Sequence, residues 1–376
     1  MNSDKQCMAV VGLQWGDEGK AKLVDYFADE AAAVVRWNGG PNAGHTVYVG
    51  DQKFILHQVP CGAFRNKVLI IGPECYVDMP KLKEEIAMLS EHGFEVDVYV
   101  DYCATVISEA NKIADQSQKD SGIRTTGCGV GPAASCRAER VASRVIDHRY
   151  MDYHLHVVDT VAMLHGLIKD GKKILFEGAQ SIDLDNIHGQ YPYVSQRCMT
   201  GNILTSFGML PELRDMHVLG VAKAYVTRSG AGPMVSEMNE YEDQSLRGVV
   251  DEIGATTGRT RRVGWIDIPQ LRKTSKLAGC NSLAITKIDI LSKLKESKMC
   301  TKYMRSLITM LKPPIHYDGL DPWNSWFKRI IYEINGDFSV IRKGQCGKWL
   351  KTIEDALGLD VSVVSFGPGR DDIIFL

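Results

Sequence analysis

A glycine-rich loop between an apolar run and the start of a helix constrains this chain more than any other feature. The run Met8-Ala-Val-Val11 is followed by Gly12-Leu-Gln-Trp-Gly-Asp-Glu-Gly-Lys20. Small residues let backbone N–H groups approach phosphate oxygens, the helix start adds partial positive charge, and the lysine adds a full charge. The segment therefore predicts a phosphate-binding loop, against the simpler interpretation of a surface turn.

This loop differs from the common phosphate-binding pattern. Gln14 occupies the place of the first glycine in Gly-x-x-x-x-Gly-Lys-Ser/Thr, and Ala21 replaces the hydroxyl residue that binds magnesium. Asp17 and Glu18 lie inside the loop, where they would repel a phosphate. A metal ion or a role in proton transfer is needed to account for them.

A second glycine-rich loop follows another apolar run. Ala32-Ala-Val-Val35 precedes Asn38-Gly-Gly-Pro-Asn-Ala-Gly-His-Thr46, in which small residues surround one histidine. A lone loop histidine is more often ordinary than catalytic. Two such loops, each holding one proton-transfer residue, favour a shared active site.

Together the two loops resemble those of the adenylosuccinate synthetase family, which joins aspartate to inosine monophosphate (IMP) using GTP. The resemblance extends, in the same order, from about residue 8 to the end of the chain. The other matching motifs are Thr125-Thr-Gly-Cys-Gly-Val-Gly-Pro132, Phe176-Glu-Gly-Ala-Gln180 with His188-Gly-Gln-Tyr-Pro-Tyr193, Thr227-Arg-Ser-Gly-Ala-Gly-Pro233, Gly254-Ala-Thr-Thr-Gly-Arg-Thr-Arg-Arg-Val-Gly-Trp265, Thr286-Lys-Ile-Asp289 and Ser365-Phe-Gly-Pro368.

The alternation of short β-rich runs with helical patterns predicts an α/β fold, P-loop-NTPase-like, with a large, mainly parallel central sheet and helices on both faces. Residues 47–56 alternate around Gly50-Asp51 and predict a β-hairpin excursion. The predicted strands are 7–12, 32–37, 67–72, 96–101, 173–177, 217–222, 281–287 and 360–366, and the predicted helices are 20–29, 80–92, 105–118, 150–169, 323–334 and 346–358.

The motifs follow the predicted strands in a consistent way. Asp17, His45 and Gln180 each come after a strand, and Lys287 and Asp289 close another. Ligands bind at the carboxyl ends of strands in such sheets. We therefore expect one shared cleft, and a single domain over residues 1–376.

Composition excludes several other classes of protein. Of 376 residues, 44% are hydrophobic and 24% charged, with a formal net charge of −2, so nothing favours binding to nucleic acid or membranes. Apolar runs are too short to span a bilayer, and the N-terminus lacks a signal-peptide pattern. Ten scattered cysteines without a Cys-x-x-Cys pair predict free thiols in a cytoplasmic protein.

Hypoxanthine O6 leaves poorly unless it becomes a phosphate ester, which requires a base for the N1 proton and positive charge around the phosphates. The resemblance implies that Asp17 is the base and a Mg²⁺ ligand, and that His45 donates a hydrogen bond to O6 or to the phosphoryl group. Lys20 would lie against the phosphates, Gln180 would bind the purine, and the Gly44 carbonyl would be a second metal ligand.

Guanine recognition is implied by Lys287 and Asp289, because a carboxylate accepts two hydrogen bonds from guanine N1–H and the 2-amino group, a donor pair that adenine lacks. The motif at Ser365 would form the other side of the base pocket. The implied GTP-binding residues are Gly16, Asp17, Glu18, Gly19, Lys20, Ala21, Lys22, Gly44, His45, Thr46, Arg261, Lys287, Ile288, Asp289, Ser365, Phe366 and Gly367.

The two other substrates are assigned in the same way. An arginine guanidinium can donate two parallel hydrogen bonds to a carboxylate. The resemblance implies that the loop 255–261 closes on aspartate. The implied aspartate-binding residues are Ala255, Thr256, Thr257, Gly258, Arg259 and Arg261. The implied IMP-binding residues are Asp17, Lys20, Asn42, Ala43, Gly44, His45, Thr126, Arg140, Gln180, Ser195 and Arg259. The family's arginine at the position of Arg140 reaches into the neighbouring subunit's site, which implies a homodimer.

The chain also departs from the family's usual residues. Ser181 stands for a glycine, Asn38 for a glutamine, and the stretch between Arg140 and Phe176 is much shorter than in typical bacterial members. The remaining departures are at Ala21, Pro41, Cys128 and Ser195. Some of these departures leave the identity of the purine nucleotide open.

Two alternatives to an IMP ligase remain. One is a related ligase acting on another nucleotide such as dGMP, as in a phage branch of the family that lacks the loop aspartate. Asp17 favours IMP. The other is a non-catalytic GTP-binding regulator, which would have no need for Asp17, His45 and Gln180.

Overall fold

A computed structural model describes residues 5–118, 122, 125–148, 154–254, 258–294, 296–305, 334–342 and 346–376. The strands, numbered β1 to β18 in chain order, are Cys7–Gly12, Ala33–Arg36, His45–Val49, Gln52–Leu56, Val68–Ile71, Tyr76–Val77, Val98–Asp101, Thr105–Val106, Leu155–Val158, Ile174–Ser181, His217–Lys223, Tyr225–Arg228, Arg262–Asp267, Ser282–Thr286, Glu296–Arg305, Ile334–Arg342, Val361–Ser365 and Ile373–Phe375.

The helices, numbered α1 to α11, are Lys20–Ala28, Met79–Glu91, Glu109–Gln116, Val130–Ala138, Thr160–Lys169, Gly201–Phe207, Pro211–Arg214, Glu240–Arg247, Ile268–Ala278, Ile288–Lys293 and Cys346–Leu357. Short 3₁₀ segments lie at Cys61–Arg65, Val145–Asp147 and Ile182–Leu184. None of the helices in the described ranges combines the length and apolar character that crossing a bilayer requires.

A ten-stranded sheet forms the centre of the molecule, in the order β18-β17-β14-β11-β1-β10-β2-β5-β7-β9. All neighbouring pairs are parallel except the edge pair β17 and β18. A second sheet of four strands, β12-β13-β15-β16, lies beside it, and the strands β3 and β4 pair antiparallel as a hairpin. Parallel strands place all their carboxyl ends at one edge, where the motifs follow them.

Helices cover both faces of the central sheet because its strands are apolar on both sides. In β1, Met8 and Val10 pack into a core with α1 and α2. Cys7, Ala9 and Val11 point the opposite way, into a second core formed with α5, α6, α9 and α11. This alternation is the period-two pattern of a strand buried on both faces, and the predicted α/β fold class is confirmed.

The structure confirms all eight predicted strands to within a few residues and the predicted hairpin. Two helix predictions were too long. The region 105–118 begins with the strand β8, and its helix starts only after Ser108, whose side chain caps it. The region 150–169 contains the sheet-edge strand β9, after which Asp159 caps α5. The predicted helix 323–334 lies almost entirely outside the described residues, and the single-domain prediction stays a prediction.

Candidate active site

A cavity of about 780 Å³ lies at the carboxyl edge of the central sheet, towards the upper end of the range for ligand pockets. It brings together loops that are widely separated in the sequence. The predicted site residues that line it are Gly16, Asp17, Glu18, Gly19, Lys20, Ala21, Lys22, Asn42, Ala43, Gly44, His45, Thr46, Thr126, Gln180, Ser195, Arg259, Arg261, Lys287, Asp289, Ser365 and Gly367.

The remaining predicted residues are placed differently. Ile288, Phe366 and Gly258 are neighbours of lining residues but do not themselves line the cavity, and neither does Arg140, which follows the end of α4. Ala255, Thr256 and Thr257 lie outside the described residues.

Backbone strain is concentrated at the predicted site residues. Five non-glycine residues in the described ranges have φ in the left-handed region, and four of them are predicted site residues. Their φ angles are 62° at Asp17, 65° at Arg140, 55° at Gln180 and 55° at Lys287, and the fifth residue is Asn66. Such conformations cost energy and persist where the surroundings hold them, commonly at functional sites.

The two loop carboxylates have different environments. The Glu18 side chain is fully buried and turned into the loop, where it accepts hydrogen bonds from the backbone of Gln14 at 3.1 Å and of Gly16 at 2.9 Å. It also pairs with the Lys20 ammonium at 2.6 Å. Burial raises the pKa of Glu18, but the charge and hydrogen bond of Lys20, together with the hydrogen bond from the Ser181 hydroxyl, hold that pKa below its ordinary value. Glu18 therefore shapes the loop rather than repelling a ligand.

Ser181, one of the departures noted in the sequence, completes this arrangement. Its hydroxyl donates to Glu18 and accepts from the backbone N–H of Gly16 at 2.9 Å. Only glycine fits at position 12, because a Cβ there would lie 2.2 Å from the Ser181 hydroxyl. These contacts of Ser181 could not be predicted from its place in the sequence.

Asn38, another departure, also has a structural role. Its side chain accepts from the backbone of Ala179 at 2.9 Å and donates to the carbonyls of Ala179 at 3.1 Å and Arg197 at 2.9 Å. It therefore fastens the second glycine-rich loop to the end of β10.

His45 is oriented by a carboxylate that sequence analysis did not single out. Its Nδ1 pairs with Glu177 on β10, which also accepts from the Cys61 backbone at 2.7 Å and lies 3.6 Å from the Arg36 guanidinium. Burial alone raises the pKa of Glu177, but His45 and Arg36 outweigh it and hold that pKa at about 2. Burial and the positive charge of Arg36 lower the pKa of His45, whereas Glu177 acts in the opposite direction and raises it. Nδ1 is thus committed to Glu177, and Nε2 is the ring atom available to a ligand.

Asp17 is partly exposed and carries its charge towards the cavity. Its Oδ2 pairs with the Arg261 guanidinium, 2.7 Å from Nε, and accepts from the Ser229 hydroxyl at 3.3 Å. Hard carboxylate and carbonyl oxygens are the donors that Mg²⁺ prefers. Asp17 and Gly44 line the same cavity, whereas the Glu18 carboxylate is occupied by the loop backbone and Lys20, so the residues present fit the predicted metal ligands.

Several buried polar atoms of the predicted binding residues lack hydrogen bonds. Within the described residues, neither amide atom of Gln180, nor Oδ1 of Asn42, nor Oδ1 of Asp289 has a partner. Buried polar groups are normally satisfied, and an exception needs an explanation. All three residues line the cavity, and a polar ligand would satisfy them.

The end of the cavity near Asp289 is bounded by the C-terminal segment. The Lys22 ammonium donates to the carbonyls of Phe366 at 2.8 Å and Asp372 at 2.9 Å, and burial lowers the pKa of Lys22 to about 8. Gly367 has a φ of 54°, and a Cβ there would lie 2.4 Å from the Asp372 carboxylate. These contacts hold the predicted base pocket against α1.

The sheet, the strained loops and the unsatisfied polar atoms define an α/β protein with a composite ligand site at its strand ends. Comparison with known families makes this specific. The family model for adenylosuccinate synthetase matches residues 9–156 and 148–374. The chain belongs to the adenylosuccinate synthetase family, whose enzymes ligate aspartate to IMP using GTP.

Individual relatives agree with this assignment. The adenylosuccinate synthetases of Halothermothrix orenii and Thermodesulfovibrio yellowstonii are 36% and 34% identical to the chain, and each match covers at least 97% of both proteins. The fully ligated adenylosuccinate synthetase of Plasmodium falciparum superposes with a TM-score of 0.87 at 28% identity, covering 99% of this chain and all of that one.

A further solved structure shares the fold. Succinoaminodeoxyadenylate synthetase of cyanophage S-2L, bound to dGMP and dATP, has a TM-score of 0.72 at 19% identity, covering 99% of this chain and 95% of that one. At this identity the likeness concerns the fold alone.

Replacing Ser181 with alanine should destabilise the protein. A hydrogen bond to a charged group typically contributes about 1.5–3 kcal/mol, so Ser181→Ala should lower the free energy of unfolding in urea by this amount. The control is Ser90→Ala, which removes a hydroxyl bond to Glu95 on the surface. Equal losses in the two variants would contradict the role given to Ser181.

Proposed function

We propose that this chain ligates L-aspartate to IMP within the described cavity, releasing adenylosuccinate, GDP and phosphate through a 6-phosphoryl-IMP intermediate. The observation that carries the proposal is the set of unsatisfied atoms on Asn42, Gln180 and Asp289 in one cavity. An amide can pair with the hypoxanthine edge, and a carboxylate oxygen can accept from guanine. Because enzymes of the family use IMP and GTP, these two nucleotides are the ligands expected to satisfy the atoms.

Asp17 removes the N1 proton of IMP in the first step. The electrons released allow O6 to attack the γ-phosphorus of GTP, and the bond from that phosphorus to the β-phosphate bridging oxygen breaks. The aspartate amine then adds to C6, loses a proton, and displaces O6 as phosphate. Asp17 lies in the loop that also carries Lys20, so the base and the phosphate-binding charge come from one short segment.

His45 binds the transferring phosphoryl group or O6 through Nε2. Burial and Arg36 lower the pKa of the His45 ring in the free protein. The negative charge of Glu177, joined by that of a bound phosphoryl group, opposes this lowering and favours the doubly protonated form, whose Nε2–H can donate while Nδ1–H stays on Glu177. A buried, fixed donor stabilises developing charge without reorganisation. Mg²⁺, held by Asp17 and the Gly44 carbonyl, would neutralise part of the phosphate charge.

Arg259 and Arg261 are assigned to aspartate, and Thr126, Ser195 and Asn42 to IMP. The Arg259 guanidinium donates to the carbonyl of Thr125 at 3.4 Å. This contact brings the aspartate-binding loop against the segment proposed to bind the 5′-phosphate.

A cytoplasmic homodimer is also proposed. Nine cysteines of the described residues are free thiols, which suits a reducing compartment. Arg140 does not line the cavity of its own chain. On the segments next to it, Ile113, Val141 and Ile146 are each more than half exposed, and exposed apolar surface supports a protein interface there.

The substrate is tested by a spectrophotometric assay with GTP, aspartate and Mg²⁺, offering IMP, dGMP and GMP in turn. Asp17 would lie near the purine and leaves less room for a 2-amino group, which favours IMP. We expect turnover with IMP alone. Reaction with dGMP and none with IMP would assign the chain to the alternative ligase, and no turnover with any purine would support a binding protein.

Neutralising the carboxylate behind His45 should slow catalysis. Glu177→Gln keeps the shape but removes the charge that favours the protonated ring, so kcat should fall on the order of 10²-fold with little change in the KM for IMP. Steady-state kinetics measure this. The control is Cys61→Ser, which alters another neighbour of Glu177 and should stay near wild type. A kcat for Glu177→Gln within twofold of wild type would remove Glu177 from the mechanism.

Guanine selectivity should depend on Asp289. Losing a charge-assisted double hydrogen bond costs about 2–4 kcal/mol, or about 30- to 1000-fold in discrimination, so Asp289→Asn should lower the preference for GTP over ATP by such a factor. Asp251 is another carboxylate that lines the cavity, and Asp251→Asn serves as the control. An unchanged GTP/ATP ratio in Asp289→Asn would place the guanine pocket elsewhere.

Arg140 should complete the partner subunit's IMP site. The Arg140 guanidinium can donate two hydrogen bonds to a 5′-phosphate. Arg140→Leu should therefore raise the KM for IMP strongly and change the KM for GTP little. The control is Arg144→Leu, which alters a nearby exposed arginine that pairs with Asp147.

Mixing two inactive variants gives a sharper test of the same assignment. A mixed dimer of Arg140→Leu and Asp17→Ala contains one site with both residues intact. Since half of the dimers are mixed, activity should recover to about a quarter of wild type by two-fold symmetry. No recovery after demonstrated subunit exchange would mean that Arg140 acts in its own chain or not at all.

A further inference from the structure

Glu252 forms a buried cluster of charges beside the cavity that no assigned role explains. Its side chain is fully buried. It contacts the Arg261 Nη1 at 2.6 Å, the Lys287 ammonium at 3.0 Å and the Lys223 ammonium at 3.2 Å. It also accepts from the Tyr225 hydroxyl. One carboxylate therefore holds three cations, two of which are proposed to belong to different substrate sites.

The charge state of this cluster follows from its burial. Burial alone raises the pKa of Glu252, but Lys223, Lys287 and Arg261 outweigh it and hold that pKa far below its ordinary value. Burial lowers the pKa of Lys223 to about 8, against the attraction of Glu252. Buried charges need a partner, so Glu252 is the counter-ion on which the cluster depends.

On one side, Glu252 lies at the base of the loop proposed to bind aspartate. Its carbonyl accepts from the Arg261 backbone at 2.9 Å, and Ile253 pairs with Thr260 as an antiparallel bridge. The backbone contacts close the loop at residues 252 and 261. The side-chain contact fixes the Arg261 guanidinium relative to the same point.

Arg261 uses separate nitrogens for its two carboxylates. Nη1 contacts Glu252, and Nε lies 2.7 Å from Asp17. A substrate carboxylate that displaced Asp17 from Nε would leave the contact between Nη1 and Glu252 in place, so the guanidinium would stay fixed.

On the other side, Glu252 holds the residue that begins the guanine-recognition helix. Lys287 is the N-cap of α10, with a φ of 55°, and Asp289 lies in the first turn of that helix. A strained backbone persists only when its surroundings fix it, and the ion pair with Glu252 is one such restraint.

We propose that Glu252 is a positioning residue that ties the guanine site to the aspartate site by holding Lys287 and Arg261 on one buried carboxylate. This inference rests on the proposed function of the two sites. Because of this link, the positions of Asp289 and of Arg261 both depend on the Glu252 carboxylate. The IMP contacts at Asn42, Thr126, Gln180 and Ser195 are not part of this link.

The test is a comparison of three KM values in Glu252→Gln. Losing a contact to a charged group typically changes binding by about tenfold or more, so the KM for aspartate and the KM for GTP should each rise by roughly that factor. The KM for IMP should stay within about twofold of wild type. A residue of merely structural importance would instead lower the amount of folded enzyme and leave all three KM values unchanged.

Because Glu252→Gln leaves three cations without their counter-ion, a second variant guards against misfolding. Glu252→Gln with Lys223→Met removes one positive charge together with the negative one, and it should fold and show the same pattern of KM values. Glu252→Asp keeps the charge on a shorter side chain and should restore part of the wild-type values. The control is Asp101→Asn. Asp101 is a buried carboxylate, away from the cavity, that accepts hydrogen bonds from Thr160.

GDP binding by calorimetry separates this inference from the proposed function. Weaker GDP binding in the double variant, with a raised KM for aspartate, supports the link. A change in only one of the two substrates, or a parallel rise in the KM for IMP, would overturn it. If wild type makes no adenylosuccinate from IMP, the proposed function fails, and unchanged GDP affinity in the Glu252 variants would then refute the contact with the guanine site separately.

Discussion

The parallel register of the central sheet is the constraint on which the rest of the site depends. Because neighbouring strands run the same way, the loops after β1, β2, β10, β11, β14 and β17 leave the sheet at one edge. Segments more than 300 residues apart in sequence, such as Gly16 and Gly367, therefore line one cavity. Burial of the strands on both faces fixes that register, so packing in the core determines the geometry of the chemistry.

This arrangement explains what could be predicted from the sequence. Apolar runs bounded by glycine gave the strands, and the position of each motif after a strand gave the shared cleft. The strand β9 was missed, because a short exposed edge strand followed by a capped helix reads like one longer helical segment. The contacts of Asp17 with Arg261 and of His45 with Glu177 could not be predicted, since each pair joins distant parts of the chain.

Buried carboxylates are the least predictable part of the site. The Glu18 carboxylate organises its own loop, a role that its place in the motif did not predict, while Glu177 and Glu252 were passed over within or beside recognised motifs. A glutamate in the sequence gives no sign of whether it will be exposed or desolvated. Its role depends on the cations that the fold brings to it, and three-dimensional placement alone reveals them.

In the ion pair between Asp17 and Arg261, each side chain occupies the place that a ligand of the other side chain would take. A ligand carboxylate that took the Nε side of Arg261 would displace Asp17, and a cation that took Oδ2 of Asp17 would displace the guanidinium. Each of these binding events would free the partner that the other needs, so the two would favour one another by thermodynamic reciprocity. Cooperativity between an anionic and a cationic ligand would then follow from partner exchange alone, with no movement of domains.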